Sequence, residues 1–165
     1  MDDSSDDPPL AKTVHGLGNR KNERFLEILR ERDVTVYERS VRFVEVVRNV
    51  GLRRAVVTAS KNGGEVLAAA GIDGLVEVQV DGLVAARDHL RGKPAPDTFL
   101  AAAKAQSLEP ASCAVFEDAI AGVEAGRAGN FGWVVGVDRA GLSAELRSHG
   151  ADQVVSDLSE LLNQQ

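Results

Sequence analysis

Cys113-Ala114-Val115-Phe116-Glu117-Asp118 runs from four apolar residues directly into two adjacent carboxylates, and the small-residue stretch Ile120 to Ala128 follows. The apolar run reads as a buried strand and the stretch after it as a helix, so the pair falls at the carboxyl end of a strand. Two bare carboxylates there repel each other and resist desolvation, which points to a cation, and Mg²⁺ suits all-oxygen ligation. An acidic start to a helix, favoured by the helix macrodipole, is the other reading of the pair taken alone. Upstream, Lys93 stands in Gly92-Lys93-Pro94-Ala95-Pro96-Asp97, and Thr58 closes the apolar run Ala55-Val56-Val57. A hydroxyl, an ammonium and a metal site at the edge of one sheet describe a pocket that handles phosphate.

Outward from these points the chain alternates strands and helices. Strands are expected at residues 55–58, 75–80, 114–116, 133–137 and 153–155. Helices are expected at 22–32, 39–50, 63–70, 96–106, 120–128 and 140–149, with a closing turn at 158–162. Phe25, Ile28 and Leu29 form the apolar stripe of the first helix, and Gly51 and Gly71 stand where left-handed helix terminators belong. Gly122, Gly126 and Gly129 are expected to let the helix after the acidic pair press against a sheet. A βαβα rhythm of this kind predicts a mostly parallel sheet with helices on both faces and ligands at the carboxyl ends of the strands.

The chain has 165 residues, 44% of them hydrophobic, enough for about one domain with a core. Its net charge of −6 and the lack of a basic stripe argue against nucleic acid as a partner. No apolar run approaches the roughly 18 residues of a membrane span. The single cysteine, Cys113, excludes an internal disulfide and fits a reducing compartment, so the expected location is cytoplasmic. His15, His89 and His149 lack zinc-ligand spacing, and Gly122, Gly126 and Gly129 lack a dinucleotide-binding pattern. Asp138-Arg139 ends a strand near the expected site and reads equally well as an exposed ion pair or a turn.

These motifs resemble the haloacid dehalogenase superfamily, in its β-phosphoglucomutase-like branch, from about His15 to the C-terminus. The resemblance implies an α/β, three-layer Rossmann-like fold that binds a small phosphorylated sugar with Mg²⁺. It makes the Thr58 hydroxyl a phosphoryl ligand, Lys93 the cation that neutralises phosphoryl charge, and Glu117 and Asp118 the metal ligands. Ser60, Lys61 and Asn62 match a Ser-Lys-Asn used around a second phosphate in that branch, and Lys21, in Arg20-Lys21-Asn22, becomes a sugar-phosphate contact from a cap helix. A solvated turn that begins a helix is the alternative for Ser60 to Asn62.

One family element has no counterpart. The first family motif, an apolar strand ending in Asp-x-Asp-Gly, supplies the nucleophile and the general acid/base, and none of Asp2, Asp3, Asp6, Asp7 or Asp81 has that context. The resemblance therefore divides the chain into an acidic, disordered tail (1–11), a partial helical cap (12–38) and an α/β core (39–165) missing its central strand. It implies the shortened product of a longer gene, begun inside the cap, with a gap beneath the site. Phosphatase or β-phosphoglucomutase chemistry, catalytically incomplete here, is the expected activity; a non-catalytic fragment that retains Mg²⁺ and phosphate affinity is the alternative. Oligomeric state is not legible.

Overall fold

The computed structural model describes residues 4, 7–31 and 34–163. Two helices come first, α1 (Val14–Glu31) and α2 (Glu38–Asn49). Strand β1 (Ala55–Val57), helix α3 (Gly63–Ala69), strand β2 (Val78–Val80) and helix α4 (Gly82–Arg87) follow. Helix α5 (Asp97–Ala105) leads to β3 (Ala114–Glu117), α6 (Ile120–Ala128), β4 (Trp133–Val137), α7 (Ser143–Ser148) and β5 (Gln153–Val155). Short 3₁₀ turns occupy Asp73–Leu75, Pro110–Ser112 and Leu158–Asn163.

All strand pairs are parallel, as the βαβ rhythm requires, but they form two sheets. β1 pairs with β2 in the register Val56↔Gln79, while β3, β4 and β5 lie in that order with Val115↔Val134 and Gly136↔Val154. Among the described residues β1 and β3 each keep one edge without a strand partner, and the ends of both border a single cleft. Helix α5 packs on β1 and β2, α6 on β3 and β4, and Phe43 of α2 meets Phe116 of β3 edge to face at 5.4 Å.

The core sits around the three-stranded sheet. Leu146, Val123, Val134 and Val135 are its largest fully buried side chains, and Phe99 meets Phe131 at 5.9 Å. A Cβ on Gly126 would lie 3.2 Å from Val134 Cγ2 and 3.3 Å from Val115 Cγ1, so this glycine does set the approach of α6 to the sheet. Gly122 has a different role, taken up with the site.

Three elements differ most from the sequence expectation, and α7 also starts later than expected, at Ser143 instead of residue 140. Helix α1 begins at Val14, well before residue 22, because Thr13 caps it: the Gly16 N–H donates to Thr13 Oγ1 at 3.0 Å. Gly16 and Gly18, poor helix formers, hide this start from a propensity reading. Helix α4 was not expected at all; Asp81 begins it by accepting hydrogen bonds from the N–H groups of Leu83 and Val84 at 3.0 and 2.9 Å. The strand expected at 75–80 shortens to β2, with its first residues in or beside a 3₁₀ turn. Of the acidic N-terminal segment, Asp7 accepts from Thr13 Oγ1 at 2.5 Å and, through its carbonyl, from Asn19 Nδ2 at 2.8 Å. Residues 1–3, 5 and 6, and residue 32 of the expected first helix, lie outside the described residues.

Candidate functional site

Thr58 leaves the end of β1, and its N–H still donates to Val80 O at 2.9 Å. Beyond it the chain turns on its own hydroxyls: Ser60 N–H donates to Thr58 Oγ1, and Asn62 N–H to Ser60 Oγ, both at 3.1 Å. Such side-chain to backbone bonds are the reason Ser and Thr favour turns at helix entries. Glu117 ends β3, where burial alternates so that Val115 and Glu117 are covered while Phe116 is not.

The Glu117 side chain is 9% exposed, and the Lys93 ammonium donates to its Oε1. Lys93 Nζ also stands 4.8 Å from the centroid of the Phe99 ring, a second favourable contact for a half-buried cation. Gly122 makes room for this pair. A Cβ there would fall 2.2 Å from Glu117 Cδ, so the first glycine of α6 accommodates the carboxylate instead of pressing on the sheet as expected.

Thr58, Lys93, Glu117 and Asp118 line one cleft of about 410 Å³ together with Val57, Phe116, Val137, Arg139 and Leu158. The other sequence candidates lie elsewhere. Ser60 and Lys61 are exposed beside the cleft without lining it, and Lys21 is exposed on α1. Asn62 is buried and donates through Nδ2 to Asn22 Oδ1 at 2.6 Å, which ties α1 to the entry of α3. Sequence reasoning placed Asp138-Arg139 near the expected site but left an exposed ion pair or a turn equally open; Arg139 does line the cleft. The Asp138 carboxylate turns the other way, held below the ordinary carboxyl range by the Ser143 hydroxyl first and then by the N–H groups of Leu142, Gly141 and Ala140.

The donors suit a hard cation without forming a complete cage. Asp118 is exposed and has no hydrogen-bond or ion-pair partner among the described residues, whereas Glu117 is balanced by Lys93. No group of three or more His, Cys, Asp or Glu side chains able to hold a metal occurs among the described residues. Mg²⁺ commonly takes one or two carboxylates and fills its shell with water and phosphate oxygens, so these two residues fit it as a partial set.

Thr58, Lys93 and the acidic pair thus meet on one cleft of a parallel α/β domain, and comparison with known proteins identifies its family. The chain matches the family "haloacid dehalogenase-like hydrolase" over residues 6–130. It is 51% identical over 164 residues to a protein of Mycobacterium bovis named beta-phosphoglucomutase, an alignment that takes in 98% of this chain and 63% of the relative. The trehalose-phosphate phosphatase of Mycobacterium leprae is 34% identical over 132 residues, 78% of this chain and 29% of that one. Among solved structures, beta-phosphoglucomutase from Clostridium difficile superposes with a TM-score of 0.73 at 26% identity, covering 88% of this chain and 61% of the other. The chain belongs to the haloacid dehalogenase-like hydrolase family and has its fold, and it spans 63% of the length of the mycobacterial relative. No described helix is long and apolar enough to cross a membrane.

Proposed function

We propose that this chain forms the phosphate- and Mg²⁺-binding side of a sugar-phosphate site of the β-phosphoglucomutase or sugar phosphatase type. The observation that carries the reading is the convergence of Thr58, Lys93 and Asp118 on one cleft at the carboxyl ends of β1 and β3. The sugar-phosphate class is supported by the names of the relatives at 51% and 34% identity. The lone free thiol, Cys113, favours a cytoplasmic setting.

Each group has a role set by its chemistry. The Thr58 hydroxyl donates to a phosphoryl oxygen. Lys93 neutralises phosphoryl charge and is already oriented by Glu117, so little side-chain entropy remains to be lost on binding. Asp118, with Glu117 beside it, would hold Mg²⁺, which when bound supplies charge neutralisation at the phosphoryl oxygens. The carboxylates lining the cleft among the described residues are those two, and both are occupied in these roles. A carboxylate free to accept a phosphoryl group is not among them, so the chain is expected to bind its ligand without turning it over.

The test uses the purified 165-residue chain with Mg²⁺ and either β-glucose 1-phosphate or p-nitrophenyl phosphate. Phosphate binding measured by calorimetry together with no turnover is the expected result. Turnover abolished by Asp118→Ala would overturn the catalytic incompleteness, and failure to bind phosphate at all would overturn the site.

A further inference from the structure

We infer that Arg139 is an additional anion contact of the cleft, held ready by Tyr37 and Ser40 to bind phosphate oxygens of the ligand; this rests on reading the cleft as a phosphate site. Charge counting within the cleft motivates the assignment. Lys93 is paired with Glu117 and Asp118 is negative, so Arg139 is the lining cation without a carboxylate at ion-pair distance among the described residues.

Three contacts keep its guanidinium available. Asp138, its sequence neighbour, spends its carboxylate on its own turn, accepting from the Gly141 and Leu142 N–H groups at 2.7 and 2.8 Å and from Ser143 Oγ. Tyr37 lies under the guanidinium, with Cζ 3.7 Å from the ring centroid, and Arg139 Nη2 donates to Ser40 Oγ at 3.1 Å. One face and one N–H are thus engaged, and the remaining N–H groups carry no hydrogen bond to a described residue. Asp157 feels the positive charge, but its own carboxylate accepts the Ser159 N–H at 2.8 Å.

A guanidinium stacked on an aromatic ring and tethered at one nitrogen loses less freedom when it meets a phosphate than a free surface arginine does. Its planar fork also matches two phosphate oxygens at once. The competing account is that Arg139 merely pins the start of α2 to the turn after β4.

Titration of inorganic phosphate into the full chain, with Mg²⁺ present, separates the two. Arg139→Ala is expected to raise the phosphate Kd about 10-fold, the effect of losing one charge-assisted hydrogen bond, and Arg139→Lys less. Tyr37→Leu, which keeps the charge but removes the stack, is expected to raise it about 3-fold. In the wild-type chain the Arg139 Nε–Hε resonance should shift as phosphate is added, a readout that needs no variant to fold. A Kd unchanged by Arg139→Ala, or a resonance that stays put while phosphate binds, sinks the inference and leaves the phosphate site standing. No phosphate binding by the wild type sinks both.

Discussion

The part of the molecule before Pro94 and the part after it are assembled from the same βα units, yet they are held together differently. Every buried hydrophobic side chain in the described core except Val80 comes after residue 95. Before it, Val14, Leu17, Phe25, Ile28, Tyr37, Val50 and Leu52 are exposed. The two-stranded sheet, covered by α5, is secured in addition by polar contacts: Arg54 Nε donates to Leu75 O at 2.6 Å, its N–H to Glu77 Oε2 at 2.7 Å, and Gln106 Nε2 donates to Arg54 O at 2.8 Å. Two strands need a covering helix to be stable, which α5 supplies, whereas the three-stranded sheet also carries nearly all of the described buried core. The cleft therefore has a firm wall carrying Glu117 and Asp118 and a softer wall carrying Thr58. Local opening that separates the hydroxyl from the acidic pair should cost less than global unfolding.

The contrast can be broken most directly at Leu146. Leu146→Ala empties a fully buried position and is expected to cost about 3 kcal/mol by urea unfolding, against about 1.5 kcal/mol for Val80→Ala in the softer half. Equal costs would erase the distinction. Gly122→Ala probes the firm wall at the site: its methyl group meets Glu117 Cδ, so a loss of about 1 to 3 kcal/mol and displacement of the carboxylate from Lys93 are expected in a structure of the variant. A neutral result would show that the acidic end of β3 is not tightly packed.

Hydrogen exchange sharpens the comparison without any substitution, since amides of β1 and β2 should exchange about 10-fold faster than those of β3 and β4. Asp138 tests the firm half by pH. Its carboxyl is held below its ordinary value, chiefly by the Ser143 hydroxyl, so its contribution is fully present above the unfolded pKa of about 4 and is lost as pH falls through the lower folded value. Asp138→Asn should lower the urea midpoint at pH 7, with the difference from wild type shrinking in acid; a difference that persists at low pH would assign the loss to something other than the charge. The smallest effect is expected at the surface of α1, where Val14→Thr, at a position 78% exposed, should change stability by no more than about 0.5 kcal/mol. A larger loss would mean that the softer half has more packing than its exposure indicates.

Much of this architecture was legible because it is written in neighbouring residues. The run into Glu117-Asp118 announced a strand end, and Thr58 after Ala55-Val56-Val57 did the same. Gly51 and Gly71 do adopt positive φ, at 80° and 67°. Helix α4 was equally local, with Asp81 as its cap, but its apolar pattern is too short to stand out. The fates of Asn62, Gly122 and Arg139 were not legible. Asn62, placed by resemblance among substrate contacts, is taken up by Asn22, 40 residues away. Gly122 is a space for a carboxylate, and Arg139 answers to Tyr37 and Ser40 instead of the aspartate beside it.

By itself the sequence determined the parallel α/β architecture and the placing of Thr58 and the Glu117-Asp118 pair at strand ends, because apolar period and turn chemistry act over a few adjacent residues. Only the tertiary structure decided that Lys93 is oriented by Glu117 across 24 residues, and that Arg139 reaches Ser40 across 99. Hydrogen bonds and ion pairs act over about 3 to 4 Å, so their partners are chosen by how distant segments pack rather than by which residues are neighbours in the chain.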